Sequence, residues 1–391
     1  MFFSSKKDLQ ELVLVLDIRS SSVGAGILNI SGEHTEVLYT TRTFEYFDKE
    51  QDSASFTATI LKTLDRVLDD IKDVGISEAK VKNKNKPFER VFVMYASPWF
   101  VSHTKDVHFK KEKQFTFTKD HFKKLIQEEL KADKKIKGVT PIEKDITNVT
   151  INGYQLDNPF DKKVKEIDFS FYISLMSEDS VEEVESMIQS CFHTDGIIHR
   201  THPLVFFTVL RNTFINVNNF LFIDIGGEVT DIGLARNDSL VNIASMPFGK
   251  HYFIREIIEK CEIDHPTAVS AIRMISNDEI DAKCGTKTQK AIEVLKDEWL
   301  NKLNGALTTL SKKEALPNRI FVTVDNDLKP LFESILKSEN MQNYALLSSE
   351  KTKITVLTSD ILSSNITRSP KVRDDIFINL AGAFINSQKH K

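Results

Sequence analysis

Two stretches of this chain, LVLVLDI at 12–18 and FLFIDI at 220–225, are nearly unbroken apolar runs that end in Asp-Ile. A run without alternation is what a strand buried on both faces requires. Each run opens the same succession. After the first, RSSS is a turn, VGAGILNI (23–30) a strand, Ser31-Gly32 a turn, and HTEVLYTTRTFEYF (34–47) a third strand rich in β-branched and aromatic residues. Phe56, Ile60, Leu64, Val67, Leu68 and Ile71 then recur at helical spacing, and RVFVMYA (90–96) returns as a strand. After the second, TDIGLARN is a strand, Asn237-Asp238 a turn, LVNIASM a strand and HYFIREIIEK a helix. The two copies share this order and little identity beyond it. The pattern predicts two related α/β halves facing each other.

Between them the character changes. KDVHFKKEKQF (105–115) is basic, and Thr118 is placed to cap a helix whose apolar stripe is Phe122, Leu125, Ile126 and Leu130. KADKKIKG (131–138) reads as a solvated loop or frayed end, and Asn152-Gly153 is a hairpin signal. EIDFSFYISLM (166–176) reads as a strand, and Val181, Val184, Met187, Ile188 and Cys191 mark a second helix. These residues predict a small α/β insert at about 97–195. The first half then spans 1–96 and continues at about 196–215, and the second spans 216–391. Within the second, Ile292, Leu295, Trp299, Leu303, Ala306 and Leu310 mark a long helix in a helical subdomain at about 250–315. RIFVTVD (319–325) and KITVLTS (353–359) are strands, Leu328–Leu336 and 376–386 helices.

Composition narrows the function classes. A formal net charge of -4 gives no global attraction to nucleic acid. Cys191, Cys261 and Cys284 are odd in number and far apart, which supports neither a disulfide framework nor a zinc site and fits a cytoplasmic location. No apolar run reaches the length of a membrane span. Met1-Phe2-Phe3 before Lys6 and Lys7 reads as a frayed terminus, with a weak membrane-surface anchor as the minority reading. His103, His108 and His121 have no metal-site spacing and read as surface groups; His193, His199 and His202 read as structural.

The tips of the two predicted hairpins carry the chemistry. Gly226 and Gly227 let backbone N–H groups approach phosphate oxygens. Ser20, Ser21, Ser22 and Thr230 can donate to the same oxygens. A carboxylate at each strand end, Asp17 and Asp224, can hold the hydration shell of Mg²⁺. Such tips are also ordinary hairpin chemistry; two of them on matching patterns favour a nucleotide cleft.

At these residues the chain resembles the actin-like ATPase superfamily. LDIRSSSVGAGIL is similar to its first phosphate motif and DIGGEVTDIGL to its second. The segments FTFTKDHFKKLI, NVTINGYQLDNPF and EIDFSFYI, leading to HPLVFF, resemble the inserted domain of the bacterial cell-division protein FtsA; the pilus-assembly relative PilM shares the layout. The resemblance implies an actin-like ATPase fold of two ribonuclease H-like domains with an FtsA-type α/β insert. It implies ATP and Mg²⁺ as ligands, held by Asp17, Ser20, Ser21, Ser22, Asp224, Gly226, Gly227, Thr230 and Gly249, with Asp17 and Asp224 at the metal.

The chain departs from the family at five places. Arg19 stands where the first motif has Gly, able to clamp a phosphate or to block the site. Glu228 replaces a Gly of the second motif and would repel phosphate. Lys250 follows Gly249 where two glycines are usual. PTAVSAIRM lacks the Glu placed toward the ribose. Val324, Asp325 and Asn326 replace the glycine turn beneath the adenine. Together they point to a degenerate nucleotide site, and no catalytic residue can be named.

The reading is therefore an FtsA-like scaffold that self-associates and recruits a tubulin-like division protein (FtsZ). The alternatives are a PilM-like adaptor for a membrane-protein peptide and an active ATPase of the same fold. No nucleic acid, and no small substrate beyond nucleotide, is expected. The last helix is followed only by SQKHK, so any route to the inner face of the membrane would run through a partner or the Phe2-Phe3 start.

Overall fold

The computed structural model describes residues 11–32, 34–48, 52–83, 86–132, 137–151, 154–156, 160–194, 196–276, 285–311, 315–325, 327–338, 352–362 and 366–388. The first half opens with β1 (Glu11–Ile18), β2 (Ser22–Ser31) and β3 (His34–Phe44). Helix α1 (Ser53–Asp70) follows and runs through a π turn at Ile71–Gly75 into α2 (Ile76–Glu78), then β4 (Arg90–Tyr95). The insert holds β5 (Phe100–Phe117), α3 (Lys119–Ala132), β6 (Val139–Ile151), β7 (Tyr154–Gln155), β8 (Lys162–Ser177) and α4 (Glu178–Cys191). The chain returns through β9 (Ile197–Thr201) and α5 (His202–Thr213). The second half comprises β10 (Phe220–Ile225), β11 (Thr230–Arg236), β12 (Ser239–Met246), α6 (Lys250–Cys261), α7 (His265–Ser276), α8 (Gly285–Ser311), β13 (Arg319–Val324), α9 (Lys329–Lys337) and β14 (Lys353–Val356). It is followed by β15 (Ile366–Arg368) and α10 (Ile376–Gln388).

The two main sheets have one topology. The first is ordered β15-β3-β2-β1-β4-β9 and the second β12-β11-β10-β13-β14. In each, the opening strand sits centrally, antiparallel to the next strand and parallel to the strand after the helix. The opening runs lack alternation because both faces are covered. Val13 and Val15 enter the core between the sheets, while Leu14 and Leu16 enter the core under α1 and α4. Phe220 and Phe222 share that central core, while Leu221, Ile223 and Ile225 pack beneath α6, α8 and α9. Helices α5 and α10 fill the space between the sheets with Phe206, Phe207, Phe377 and Ile378, joining the halves by apolar burial.

The insert carries its own sheet, β5-β8-β6-β7, and its own core around Phe117, Phe169 and Phe171. Its basic segment 105–115 lies inside β5, a strand with one edge unpaired in this sheet, where lysines face water. Lysine content hid that strand from a pattern reading. The Thr118 cap is present: its Oγ1 accepts from the His121 backbone N–H at 3.3 Å. Asn152, Gly153, Asn326, Cys284, Met1-Phe2-Phe3 and the last three residues lie outside the described residues, as do the side chains of Ile126 and Leu130.

Several elements differ from expectation. The third strand stops at Phe44, and Phe47 turns back into the core under α1. Strand β9 and helix α5 escaped because IIHRT is short and HPLVFFTVL is apolar all round, buried on every side. Strand β15, three residues long, carries no sequence signal. Among the described residues no helix is long and apolar enough to cross a membrane.

Candidate functional site

The β1–β2 and β10–β11 tips meet at the cleft between the sheets, as their equivalent positions dictate. Asp17 pairs across β2 with Gly24, and Asp224 pairs across β11 with Asp231, so each carboxylate stands one residue from its strand end. Both are buried. Burial of two carboxylates demands partners, and the chain supplies them. Arg19 Nη2 donates to Asp224 Oδ2 at 2.6 Å, and its Nη1 lies 3.9 Å from Asp17 Oδ1. Arg42, near the C-terminal end of β3, donates through Nη2 to Asp17 at 2.7 Å and through Nε to Asp375 at 2.8 Å. Asp375 also caps α10 by accepting the Phe377 and Ile378 N–H groups at 3.1 and 3.2 Å. The Phe377 ring lies 3.8 Å beneath the Arg19 guanidinium, a cation–π seat in the floor of the cleft.

Arg19 is therefore bonded to Asp224 and stands beside Asp17, where its Nη1 and Asp17 Oδ1 are buried without a hydrogen-bond partner. Burial works against its charge, but Asp224 and Asp17 outweigh that and hold its pKa above the ordinary value. Arg42 behaves the same way against Asp375 and Asp17. Burial raises Asp17, with Arg42 and Arg19 pulling it back. His202, at the head of α5, lies 3.1 Å from Asp224; burial brings it down to about 4, so it is neutral at physiological pH. Thr323 donates to the remaining Asp224 oxygen at 2.8 Å.

Several groups that a phosphate would use are engaged within the protein, Thr230 and the first α6 amides as donors and the Ser20 and Ser22 hydroxyls as acceptors. Ser20 Oγ accepts from the Glu228 N–H at 3.1 Å, Ser22 Oγ accepts from Arg42 at 2.9 Å, and Thr230 donates to the Phe248 carbonyl at 2.8 Å. The first amides of α6 point into the 226–228 tip: Gly249, Lys250 and His251 donate to the carbonyls of Glu228, Gly226 and Gly227 at 3.1, 2.9 and 2.9 Å. A helix start of this kind would otherwise offer an anion site. The tips also touch. A Cβ built on Gly227 would lie 1.8 Å from Ser21 Oγ, and one on Gly249 would lie 2.3 Å from the Gly227 carbonyl oxygen. The glycines here allow tip-against-tip packing.

The substituted positions form the rest of the lattice. Glu228 accepts from His251 Nδ1 at 2.9 Å and a bidentate pair from Arg255 at 2.9 and 2.8 Å. Burial would raise this carboxylate, but His251 and Arg255 hold it below its usual range. Lys250, 1% exposed, reaches Asp325 and Asp327, each at 2.8 Å. Burial opposes Asp325's charge, yet Lys250, Arg42 and Arg19 bring it down to about 2. On the far side, Asp231 accepts from Ser97 and Ser245 hydroxyls at 2.8 and 2.5 Å, and burial raises it to about 6.

All nine residues named from the sequence thus converge on one place. Sequence reasoning missed Arg42, Asp375, His202, Asp231 and the Ser97 contact. The available signal was Arg42 itself, a cation inside a β-branched strand opposite glycine (Gly24) on β2. His108 meets Asp168 and Glu166 across β5 and β8, which spacing among histidines could not reveal. All three are solvent-accessible and Lys110 already holds Glu166, so they read as cross-strand charge pairs.

No family model and no curated protein matches this chain in sequence. Solved structures do match. The PilM-PilN type IV pilus biogenesis complex superposes with a TM-score of 0.63 at 12% identity, covering 96% of both chains. MreB 5 of Spiroplasma citri bound to AMPPNP gives a TM-score of 0.45 at 11% identity over 97% of both chains. A Bacteroides thetaiotaomicron protein described as having an actin-like ATPase fold and unknown function gives 0.41 at 10% identity, covering 98% of both. With the doubled strand order, the first of these likenesses shows the architecture: this chain has the actin-like ATPase fold, and the tips of its cleft are tied together by its own side chains.

Proposed function

We propose that this protein is a nucleotide-independent scaffold, an actin-like fold whose cleft is held closed by an internal ion-pair lattice. The observation that carries the reading is the Arg19 guanidinium bonded to Asp224 and set 3.9 Å from Asp17, flanked by Arg42 and Lys250. In this reading guanidinium and ammonium groups occupy the electrostatic role that Mg²⁺ would have in a nucleotide-binding relative. Phosphate would meet Asp17, Asp224 and Glu228 with their cations already engaged and the α6 amides already bonded. Asp17 and Asp224 have the donor chemistry for Mg²⁺, but Arg19 lies between them, so the residues present do not fit a metal-nucleotide pair. ATP hydrolysis forms no part of the proposed function.

A fold held in one state suits a part that presents fixed surfaces. We keep the FtsA-like assignment, supported by the insert between the first half and the second tip: self-association, with recruitment of a tubulin-like division protein. The likeness to PilM in a complex with PilN motivates the second reading, an adaptor for a peptide from a membrane-protein partner. Sedimentation and electron microscopy of the purified protein without nucleotide test the first. Concentration-dependent filaments or rings, together with capture of the tubulin-like protein, support it. A strict monomer that captures only a pilus-protein tail replaces it with the second.

A further inference from the structure

The far end of the insert gathers cations from three elements, and the cleft makes no use of them. Strand β5 runs outward to Phe117, and α3 begins two residues later at Lys119. Strand β8 starts beside them: Lys162 pairs with Phe117, and the Asp161 N–H donates to the Phe117 carbonyl at 2.7 Å. From β5 come Lys110, Lys111 and Lys113, and from α3 Lys119, Lys123 and Lys124. Lys162, Lys163 and Lys165 come from β8, and all of these lysines are exposed. Over residues 110–124 and 161–166, nine lysines against Glu112, Asp120, Asp161 and Glu166 give a formal charge of +5. The rest of a chain of net charge -4 then carries -9.

Stability does not account for this collection. Protection of an open sheet edge explains lysines on β5, but β8 has β5 on one side and β6 on the other. Lys119 opens α3, the end where the helix dipole disfavours a cation. Glu166 engages Lys110 at 2.7 Å, whereas among the described residues Lys113, Lys163 and Lys165 have no ion pair. Apolar surface lies among the charges. Beyond Lys110, β5 leaves its register with β8, and the half-buried rings of Phe109 and Phe115 meet there at 5.3 Å. Lys111 Nζ lies over these rings at 5.3 and 4.6 Å.

We infer that this tip docks on an anionic lipid bilayer. The two segments hold lysine and no arginine. Lysines are point charges without the planar fork that grips one phosphodiester or carboxylate. Diffuse charge of this kind suits a fluid sheet of headgroups, where each lysine near the surface raises partitioning about fivefold. The lysine stems and the two phenylalanine rings supply the apolar surface that enters the headgroup layer. The negative remainder of the chain sets the orientation. From Lys162 to Met176, β8 spans about 45 Å, several times the Debye length of about 8 Å at physiological salt. The body therefore does not neutralise the tip, and the surface that attracts the tip repels the body. The chain sits tip-down, by a route that needs neither a partner nor the Phe2-Phe3 start.

Co-flotation of the intact protein with vesicles tests this. Vesicles with about 30% phosphatidylserine in phosphatidylcholine should carry the protein at about 0.1 M salt and release it at about 0.5 M, and pure phosphatidylcholine vesicles should not carry it. The triple variant Lys113→Gln/Lys163→Gln/Lys165→Gln should partition about a hundredfold more weakly. A control of equal net charge, Lys287→Gln/Lys290→Gln/Lys353→Gln in exposed positions of the second half, should stay within about threefold of the wild type. Circular dichroism spectra and melting curves matching the wild type show that both variants fold. No binding to the anionic vesicles, or equal loss in tip and control variants, overturns the inference. So does tighter, tip-dependent binding to duplex DNA or to a polyglutamate peptide, which would replace the bilayer with that polyanion.

Discussion

Replacing Arg19 with Met removes one guanidinium from two buried carboxylates. Asp17 keeps Arg42, so the cost falls chiefly on Asp224, which is left in a 2% exposed site with the Thr323 hydroxyl and a neutral His202. Breaking a buried pair by deleting one member costs about 3–5 kcal/mol. The lower end applies here, about 3 kcal/mol, because His202 can respond. In the intact protein Asp224 pulls the imidazole toward protonation while Arg19 and Arg42 push against it. Removing Arg19 tips that balance, and His202 should titrate well above its present value of about 4. Urea unfolding gives the stability loss, and ¹H–¹³C NMR of the His202 ring gives the titration. The companion Arg19→Met/Asp224→Asn removes the orphaned charge and should recover at least half of the loss, a coupling of more than about 1 kcal/mol. A single-variant loss under about 1 kcal/mol, or additive losses in the double variant, would show that the pair is hydrated and not a structural bridge.

Further outcomes follow from the same geometry. Gly249→Ala drives a Cβ against backbone oxygens and should cost about 1–3 kcal/mol in urea unfolding, because neither backbone can swing aside. Asp238 sits at φ 57° in the β11–β12 turn after Asn237 at φ 48°; Asp238→Gly should raise stability by about 0.5–1 kcal/mol, read as a higher melting temperature. His202 is held neutral by burial, so stability should fall as pH drops from about 6.5 through about 4; His202→Gln should flatten that limb in melting profiles measured across the range. Asp231, raised to about 6, has the opposite sign: its contribution is lost as pH rises from about 3.8 to about 6, and Asp231→Asn should remove that slope.

Much of this was legible in the chain. The doubled Asp-Ile runs gave the central strands because burial on both faces leaves an unbroken apolar signature. The tip residues were legible because each sits at a fixed offset from such a run. Arg19, Glu228 and Lys250 stood out as departures, but their partners did not. Arg42 and Asp375 are 333 residues apart in sequence, and no local pattern records such a pair. The same limit hid the setting of Asp231, whose partners Ser97 and Ser245 come from outside its own strand. A surface-like composition hid β5, since an edge strand with a wet face resembles a loop.

The account rests on a cleft occupied by its own cations, and calorimetric titration of the wild-type protein with Mg-ATP tests it most directly. No saturable heat up to millimolar nucleotide is the expected result. Stoichiometric binding at micromolar nucleotide, abolished by Asp17→Asn, would contradict it.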